Sequence, residues 1–162
     1  MRHLLLVFAL TSTLLRAAPA ETAAKPASDR DQVLQVVQSF LDALAKHDGD
    51  ALRLLAPAGG QVIVAPVPEM NRPLRRRSIE EDAEGVQKVT EAWLERMWNP
   101  TVLIEGRIAV VWTPYDFHRN GKFSHNGIDV FTLMKLDDGW KIISAAYTIE
   151  PAGPTKNPAG SP

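Results

Sequence analysis

The stretch that decides the fold is residues 107–136, RIAVVWTPYDFHRNGKFSHNGIDVFTLMKL, in which two long runs of alternating character flank Asn120-Gly121. Asn-Gly between such runs is a strong hairpin signal, because both residues readily adopt the positive φ angles of a type I′ turn. The sequence therefore predicts two antiparallel strands, Arg107–His118 and Phe123–Leu136.

Shorter strands extend this hairpin on both sides. Thr101–Ile104 precedes the turn residue Gly106, and Trp140–Glu150 follows the turn Asp137-Asp138-Gly139. Residues of this kind separate neighbouring strands of an antiparallel meander. We therefore expect four consecutive strands in the C-terminal part of the chain.

The N-terminal part begins with a predicted amphipathic helix. Ser28 can cap it, and Gly49 suits a left-handed residue at its C-terminal end. Asp50 is then expected to cap a short second helix that ends at Leu55. The apolar stripe of the first helix, at helical spacing, consists of Val33, Val36, Val37, Phe40, Leu41 and Leu44.

A strand and a third helix follow. Pro66 and Pro68 restrict the strand Gln61–Ala65 to a sheet edge or a bulge, because proline cannot donate a ladder hydrogen bond. Ser78 and Glu81 form a capping-box signature for a helix over about 79–97. Helices followed by a meander predict an α+β domain, with N-terminal helices packed on one face of a curved antiparallel sheet.

The residue patterns at both ends of the chain are not those of a folded globular domain. Residues 1–20 combine a basic start, an apolar run and Ala18-Pro19-Ala20, which is typical of a signal peptide cleaved after Ala20; Arg16 leaves open a cut a few residues later. Residues 21–28 are predicted to be a flexible leader, 29–150 one folded domain, and 151–162 a disordered Pro/Gly tail. We therefore expect an exported protein, periplasmic or secreted, with no membrane attachment after cleavage.

Charge and cysteine content exclude several classes of function. Without residues 1–20 the chain has 16 basic and 19 acidic residues, a net charge of −3, which argues against a nucleic-acid partner. The absence of cysteine excludes disulfides, thiol nucleophiles and thiolate metal sites. An arginine-rich segment, 72–77, is followed at once by Glu80, Glu81 and Asp82, which indicates a solvated and locally neutralised region.

The same strands carry a resemblance to a known superfamily. Residues 104–117, 121–129 and 137–142 are similar to the central strands of nuclear transport factor 2-like proteins, and most similar to their lumazine-binding and SnoaL-like bacterial branch. The resemblance covers about residues 30–150 and implies a cone-shaped, cystatin-like fold with a pocket. That superfamily contains isomerases, cyclases, dehydratases, binding proteins and assembly modules, so the fold alone does not decide the activity.

Polar side chains are concentrated around the hairpin turn. A two-residue turn at Asn120-Gly121 places Asp116 opposite His125 and Trp112 opposite Asp129. A three-residue turn instead places Tyr115 opposite His125 and Val111 opposite Asp129. A one-residue slip moves a strand's side chains to the other face of the sheet, so the register decides which groups meet. The sequence favours the two-residue turn and leaves the other open.

The interpretation that we favour is a pocket that binds an unidentified small molecule without a cofactor. Its proposed ligand-binding residues are Trp98, Trp112, Tyr115 and Asp129. Trp93 and Trp140 are assigned to the core instead. Further aromatic residues available to a pocket or core are Phe40, Phe131 and Tyr147.

Three alternatives compete with simple binding. His125 and Asp116 can act as an acid–base pair in a cofactor-free isomerase, cyclase or dehydratase. Asp116, His118 and His125 can hold a metal only if all three converge, a demanding geometry, so we expect no metal site. The third alternative is a dimeric assembly module that uses the sheet face.

The strands between residues 107 and 149 carry apolar side chains on both faces, and the helices can cover one face only. We therefore predict a homodimer in which the second face packs against its counterpart. Light scattering at micromolar concentration is expected to give the mass of two chains. A monomer mass under these conditions contradicts the prediction.

Overall fold

The computed structural model describes residues 27–66, 68–150, 157–160 and 162. Three helices and the first strands make up the first part of the described chain, and consecutive strands make up the second part. A 3₁₀ turn lies at Pro68–Met70. The elements are α1 Asp29–Lys46, α2 Gly49–Leu55, β1 Gln61–Pro66, β2 Arg75–Ser78, α3 Ile79–Val86, β3 Trp93–Met97, β4 Thr101–Glu105, β5 Ile108–Arg119, β6 Lys122–Leu136 and β7 Gly139–Ile149.

Helix α1 has the predicted N-terminal cap. The Asp31 backbone N–H donates to Ser28 Oγ at 3.2 Å, and the Ser28 N–H donates to the Asp31 carboxylate at 3.3 Å. The prediction for the other end was wrong. His47, with φ 54°, takes the left-handed position, and Asp48 caps α2 in place of Asp50. Gly49 is instead the first residue of α2, where a Cβ would lie 2.5 Å from the Ala83 carbonyl oxygen, so its role is close helix packing.

The described strands form a mixed sheet in the order β2-β1-β7-β6-β5-β3, with β4 paired to the remaining length of β5. Strand β1 lies in the interior of the sheet, antiparallel to β2 and parallel to β7. The sheet is therefore mixed where an antiparallel one was expected, and the prediction that β1 is restricted to an edge or a bulge was wrong. Pro66 is tolerated because it is the last residue of β1, and the edge is formed by β2, from the arginine-rich segment.

The third helix is much shorter than the sequence predicted. Helix α3 starts at the Ser78 capping box but ends at Val86, and Trp93–Met97 is strand β3. Gly85 weakens the helix end, and β3 gains a full antiparallel ladder with β5 from Trp93↔Arg119 to Met97↔Tyr115. The apolar positions in 93–97 fit both periods, and pairing with β5 selects the strand.

The central hairpin has the predicted two-residue turn but not the predicted pairing. Asn120 and Gly121 have φ angles of 49° and 72°, and Arg119 pairs with Lys122. A bulge at Ser124 then shifts the register by one, so that His125 pairs with Phe117 and Asp129 pairs with Thr113. An extra residue in one strand has this effect because two residues then oppose one on the partner strand.

The shift divides the side chains of β5 between two faces of the sheet. Odd-numbered residues from 109 to 117 lie on the inner face, which packs on α1 through contacts such as the Phe40–Phe131 edge-to-face pair at 5.7 Å. The even-numbered residues lie on the outer face. That face exposes Leu103, Ile108, Trp112 and Met134 by 42–65%, and the predicted homodimer through it stays a prediction.

The predicted signal peptide, most of the leader, and residues 151–156 and 161 of the predicted tail lie outside the described residues, so these predictions stay predictions. Within the described ranges, no helix combines the length and apolar character needed to cross a bilayer.

Gly127 is needed where β6 passes β7. A Cβ at this position would lie 2.4 Å from the Thr148 carbonyl oxygen, which accepts a hydrogen bond from Tyr115 Oη at 2.7 Å. Gly127→Ala is therefore expected to lower the free energy of unfolding by about 2–4 kcal/mol. Gly85→Ala is the control, since a Cβ there meets nothing within 4 Å and helix propensity favours alanine by about 0.5–1 kcal/mol. Urea unfolding measures both; a loss below about 1 kcal/mol at Gly127 contradicts the steric account.

Candidate functional site

A cavity of about 450 Å³ lies between the inner face of the sheet, the C-terminal half of α1 and helix α3. Such a volume is within the range of small-molecule sites. Its apolar wall comes mainly from α1, β1 and the central strands, and its polar wall from β2, α3, β3 and β6. The apolar wall includes Phe40, Leu44, Val62, Val64, Trp93, Phe117, Phe131 and Ala145; the polar wall includes Arg77, Asp82, Glu95, His125, Asp129 and Tyr147.

Two carboxyl groups meet in this cavity. Glu95 on β3 and Asp129 on β6 are separated by the intervening strand β5, and a hydrogen bond joins their carboxyl groups. Burial, with a smaller contribution from nearby carboxylates, raises the pKa of Glu95 to about 7, and burial beside Glu95 raises the pKa of Asp129 well above its ordinary value. Because a hydrogen bond between carboxyl groups requires a proton on one of them, the two groups share a proton.

A third acidic group on the polar wall, Asp82, forms an ion pair with an arginine. Arg77 on β2 and Asp82 on α3 form an ion pair at 2.5 Å, and Arg77 also contacts the Tyr147 hydroxyl. Burial raises the pKa of Asp82 despite this arginine, and burial also raises the pKa of Tyr147. Arg77 therefore bridges the largely buried Asp82 carboxyl group and the largely buried Tyr147 hydroxyl group.

His125 lines the cavity as a neutral imidazole. Its ring stacks on Phe117 with centroids 5.0 Å apart and meets the edge of Tyr115 at 5.8 Å. Burial, assisted by Arg119, lowers the pKa of His125 to about 4. At neutral pH this side chain carries no charge; its Nδ1 is hydrogen-bonded to Ser124 Oγ at 3.1 Å, and Nε2 can form one further hydrogen bond.

Several residues predicted to share the site lie elsewhere. Asp116 is on the outer face, where Arg96 donates two hydrogen bonds to its carboxylate at 2.6 and 2.9 Å. His118 is also on that face, with Nδ1 3.6 Å from Asp116. The structure therefore does not bring Asp116 to His125, and Asp116, His118 and His125 do not converge as metal ligands would.

The proposed ligand-binding residues also separate. Asp129 lines the cavity, and Tyr115 packs behind it with its hydroxyl bonded to Thr148. Trp112 is 44% exposed on the outer face. Trp98 follows β3, and its backbone N–H donates a hydrogen bond to the Pro114 carbonyl oxygen. Of the tryptophans assigned to the core, Trp140 is there at 4% exposure, and Trp93, which is half-buried, packs against the core and also lines the cavity.

Sequence reasoning missed Glu95, Arg77 and Asp82. Glu95 was hidden within a predicted helix, although the alternation Trp93, Glu95, Met97 is itself a strand signal. Arg77 and Asp82 looked like a neutralised surface segment, and their mutual neutralisation is real but occurs in the cavity wall.

Searches against protein-family models and against curated proteins each gave no match. Solved structures do match. A nuclear transport factor 2-like superfamily protein from Salmonella enterica is 17% identical, with 80% of this chain and 96% of that chain covered and a TM-score of 0.63. A nuclear transport factor 2-like protein from Cytophaga hutchinsonii is 16% identical, with 76% and 99% covered and a TM-score of 0.65.

A protein of unknown function with a cystatin-like fold from Nostoc punctiforme is also similar, at 13% identity, with 78% and 96% covered and a TM-score of 0.61. The chain therefore has the α+β, nuclear transport factor 2-like fold, as the sequence predicted. Identities this low establish the fold alone.

Glu95 makes stability depend on pH. Its pKa of about 7 in the folded protein exceeds its ordinary 4.5, so its stabilising contribution is complete below about pH 4.5 and is lost as the pH rises through 7. The free energy of unfolding of the native protein, relative to Glu95→Gln, is expected to fall by about 3 kcal/mol across this interval, since one pKa unit corresponds to about 1.4 kcal/mol.

Urea unfolding at a series of pH values measures this difference. His125 has a lowered pKa and the opposite sign, losing stability as the pH falls below 6.5, but it is common to both proteins and cancels. Glu105→Gln, at an exposed site on β4, is the control for the substitution itself. A constant difference between native protein and Glu95→Gln contradicts the prediction.

Proposed function

We propose that this protein binds a small organic molecule in the cavity between the sheet and the helices. The observation that carries the proposal is the Glu95–Asp129 pair, a half-buried and a buried carboxyl group that meet in a cavity whose opposite wall is aromatic and aliphatic. Burying such groups reduces stability unless they are paired or used, so their position in a cavity indicates a role beyond folding.

Three further elements of the proposal rest on the sequence. The N-terminal pattern supports export to the periplasm or beyond, which places the ligand outside the cytoplasm. The exposed apolar side chains of the outer face support a homodimer. The strand motifs support a position near the lumazine-binding and SnoaL-like branch, without implying lumazine as the ligand.

Filling the cavity tests the binding proposal. Val64 is 5% exposed and faces the cavity from β1, whereas its neighbour Ile63 lies on the opposite face of the same strand. Val64→Phe is expected to lower affinity for cavity ligands at least about tenfold, and Ile63→Phe is expected to leave it unchanged.

Native mass spectrometry of the purified mature protein is the first measurement, followed by ligand-observed NMR with a fragment library of mixed charge. The expected result is a retained molecule or fragment hits that Val64→Phe loses and Ile63→Phe keeps. Equal binding by both variants contradicts the assignment of this cavity. Absence of any bound molecule or hit contradicts the binding function.

A second candidate is a cofactor-free acid–base enzyme, an isomerase, cyclase or dehydratase. The pKa of Glu95, about 7, favours it, because a carboxyl that titrates near neutral pH can take and return protons under working conditions. Glu95 as the carboxylate would remove a proton next to a substrate carbonyl, and protonated Asp129 would donate a hydrogen bond to the carbonyl oxygen. This pair replaces His125 and Asp116, which the sheet separates.

Proton exchange tests this candidate without a known substrate. Incorporation of deuterium from D₂O into the methyl group of 4-acetylbenzoate, followed by NMR, is expected to be accelerated by the protein. Glu95→Gln is expected to reduce the acceleration about 100-fold, and Asp116→Asn is expected to preserve it. No acceleration by the native protein, or equal loss in both variants, counts against Glu95 as the base.

A further inference from the structure

We propose that the ligand is a small organic oxyanion, whose anionic group binds the arginines at the cavity mouth and whose uncharged oxygen atoms reach the buried polar wall. This inference rests on the proposed binding function and specifies the chemistry of the molecule bound. Two separate observations carry it, one at each end of the cavity.

The mouth of the cavity is positively charged. Arg72 and Arg75 line it and are exposed, and among the described residues neither has an ion-pair partner. Arg77, deeper in the wall, is neutralised by Asp82 at 2.5 Å, and Arg119 lies 3.8 Å from Glu91. Glu81 also lines the cavity and Asp82 interacts electrostatically with Arg75, but neither Arg72 nor Arg75 is held in an ion pair by a described residue. Their guanidinium groups are therefore available to a ligand, and guanidinium groups match the geometry of carboxylate and phosphate oxygens.

Three residues of the cavity wall each have a buried polar atom without a hydrogen-bond partner among the described residues. Arg77 Nε and Trp93 Nε1 are N–H donors, and Asp129 Oδ2 is a carboxyl oxygen. All three residues line the same cavity. A buried donor without an acceptor costs about 1–3 kcal/mol, and native proteins keep few of them, so the Arg77 and Trp93 donors indicate a ligand that supplies oxygen acceptors.

The acid pair does not repel such a ligand. One proton joins the Glu95 and Asp129 carboxyl groups, so the pair carries at most one negative charge while that hydrogen bond is present. A ligand carbonyl or ether oxygen can accept hydrogen bonds in this part of the cavity. A cationic ligand would instead meet Arg72 and Arg75 first, and a purely hydrocarbon ligand would leave the N–H donors of Arg77 and Trp93 unsatisfied.

The probes for the test differ in one feature at a time. The anion 4-acetylbenzoate carries both a carboxylate and a carbonyl acceptor, 4-acetylbenzamide removes the negative charge, and 4-isopropylbenzoate removes the carbonyl oxygen. Isothermal titration at low and high salt measures each affinity for the mature protein. We expect 4-acetylbenzoate to bind at least about tenfold more tightly than either analogue, with the charge-dependent part weakened by salt.

A matched pair of arginine variants locates the anion. Arg75 and Arg76 are adjacent, exposed residues of β2, but Arg75 lies on the cavity face opposite Val64 and Arg76 on the other face opposite Ile63. Arg75→Gln is expected to weaken 4-acetylbenzoate about three- to tenfold and to leave 4-acetylbenzamide unchanged. Arg76→Gln removes the same charge and is expected to change neither affinity.

The possible outcomes distinguish failure of the oxyanion proposal from failure of the proposed small-molecule binding. Equal affinity for the anion and the amide, equal effects of the two arginine variants, or no binding of 4-acetylbenzoate overturns the oxyanion proposal. If neutral or cationic fragments still bind and Val64→Phe abolishes that binding, the binding function stands without it. If no fragment of any charge binds, the binding function fails as well.

Discussion

The register between β5 and β6 is the constraint on which the site depends. The two strands form the longest pairing in the sheet, and every residue on them faces either the helices or the outer surface. Ser124, the extra residue of the bulge, moves His125 and Asp129 to the inner face and leaves Asp116 on the outer one. Without that residue, the hairpin turn at Asn120-Gly121 would place Asp116 opposite His125, and the cavity would have different chemistry.

The Glu95–Asp129 pair follows from this register and from the strand character of 93–97. In a helix over 79–97, successive side chains would point in directions about 100° apart around the helix axis. In strand β3 they alternate instead, which fixes Glu95 on the same face of the sheet as Asp129. Two carboxyl groups in a water-poor cavity cannot both ionise readily, so they share a proton. A conformational choice in a five-residue strand thus becomes a chemical property of the site.

The parts of the fold that the sequence predicted are those determined by local interactions. The Ser28 and Ser78 caps, the turn at Asn120-Gly121 and the strands after Gly106 depend on residues within a few positions of one another. The errors arose where distant segments compete for pairing. The parallel contact of β1 with β7 joins residues about eighty positions apart, and nothing near Gln61 or Ser144 records it.

The candidate site was predictable to the extent that its members lie on the hairpin. Asp129 and His125 were identified because polar residues in an alternating apolar strand stand out. Glu95, Arg77 and Asp82 come from β3, β2 and α3, and each has a local explanation as a surface charge. Only the folded sheet brings these three elements to one cavity, so the local sequence around any one of these residues cannot identify the other residues of the site.

Buried carboxyl groups have different partners on the two faces of the sheet, and this difference supports a functional interpretation of the inner face. On the outer face, Asp116 is 5% exposed but receives two hydrogen bonds from Arg96, a complete ion pair of the kind that folding alone explains. On the inner face, Asp129 is equally buried, has a carboxyl as its neighbour, and keeps one oxygen without a partner among the described residues. The inner pair has no arginine partner among the described residues, and we interpret it as a group available to a ligand.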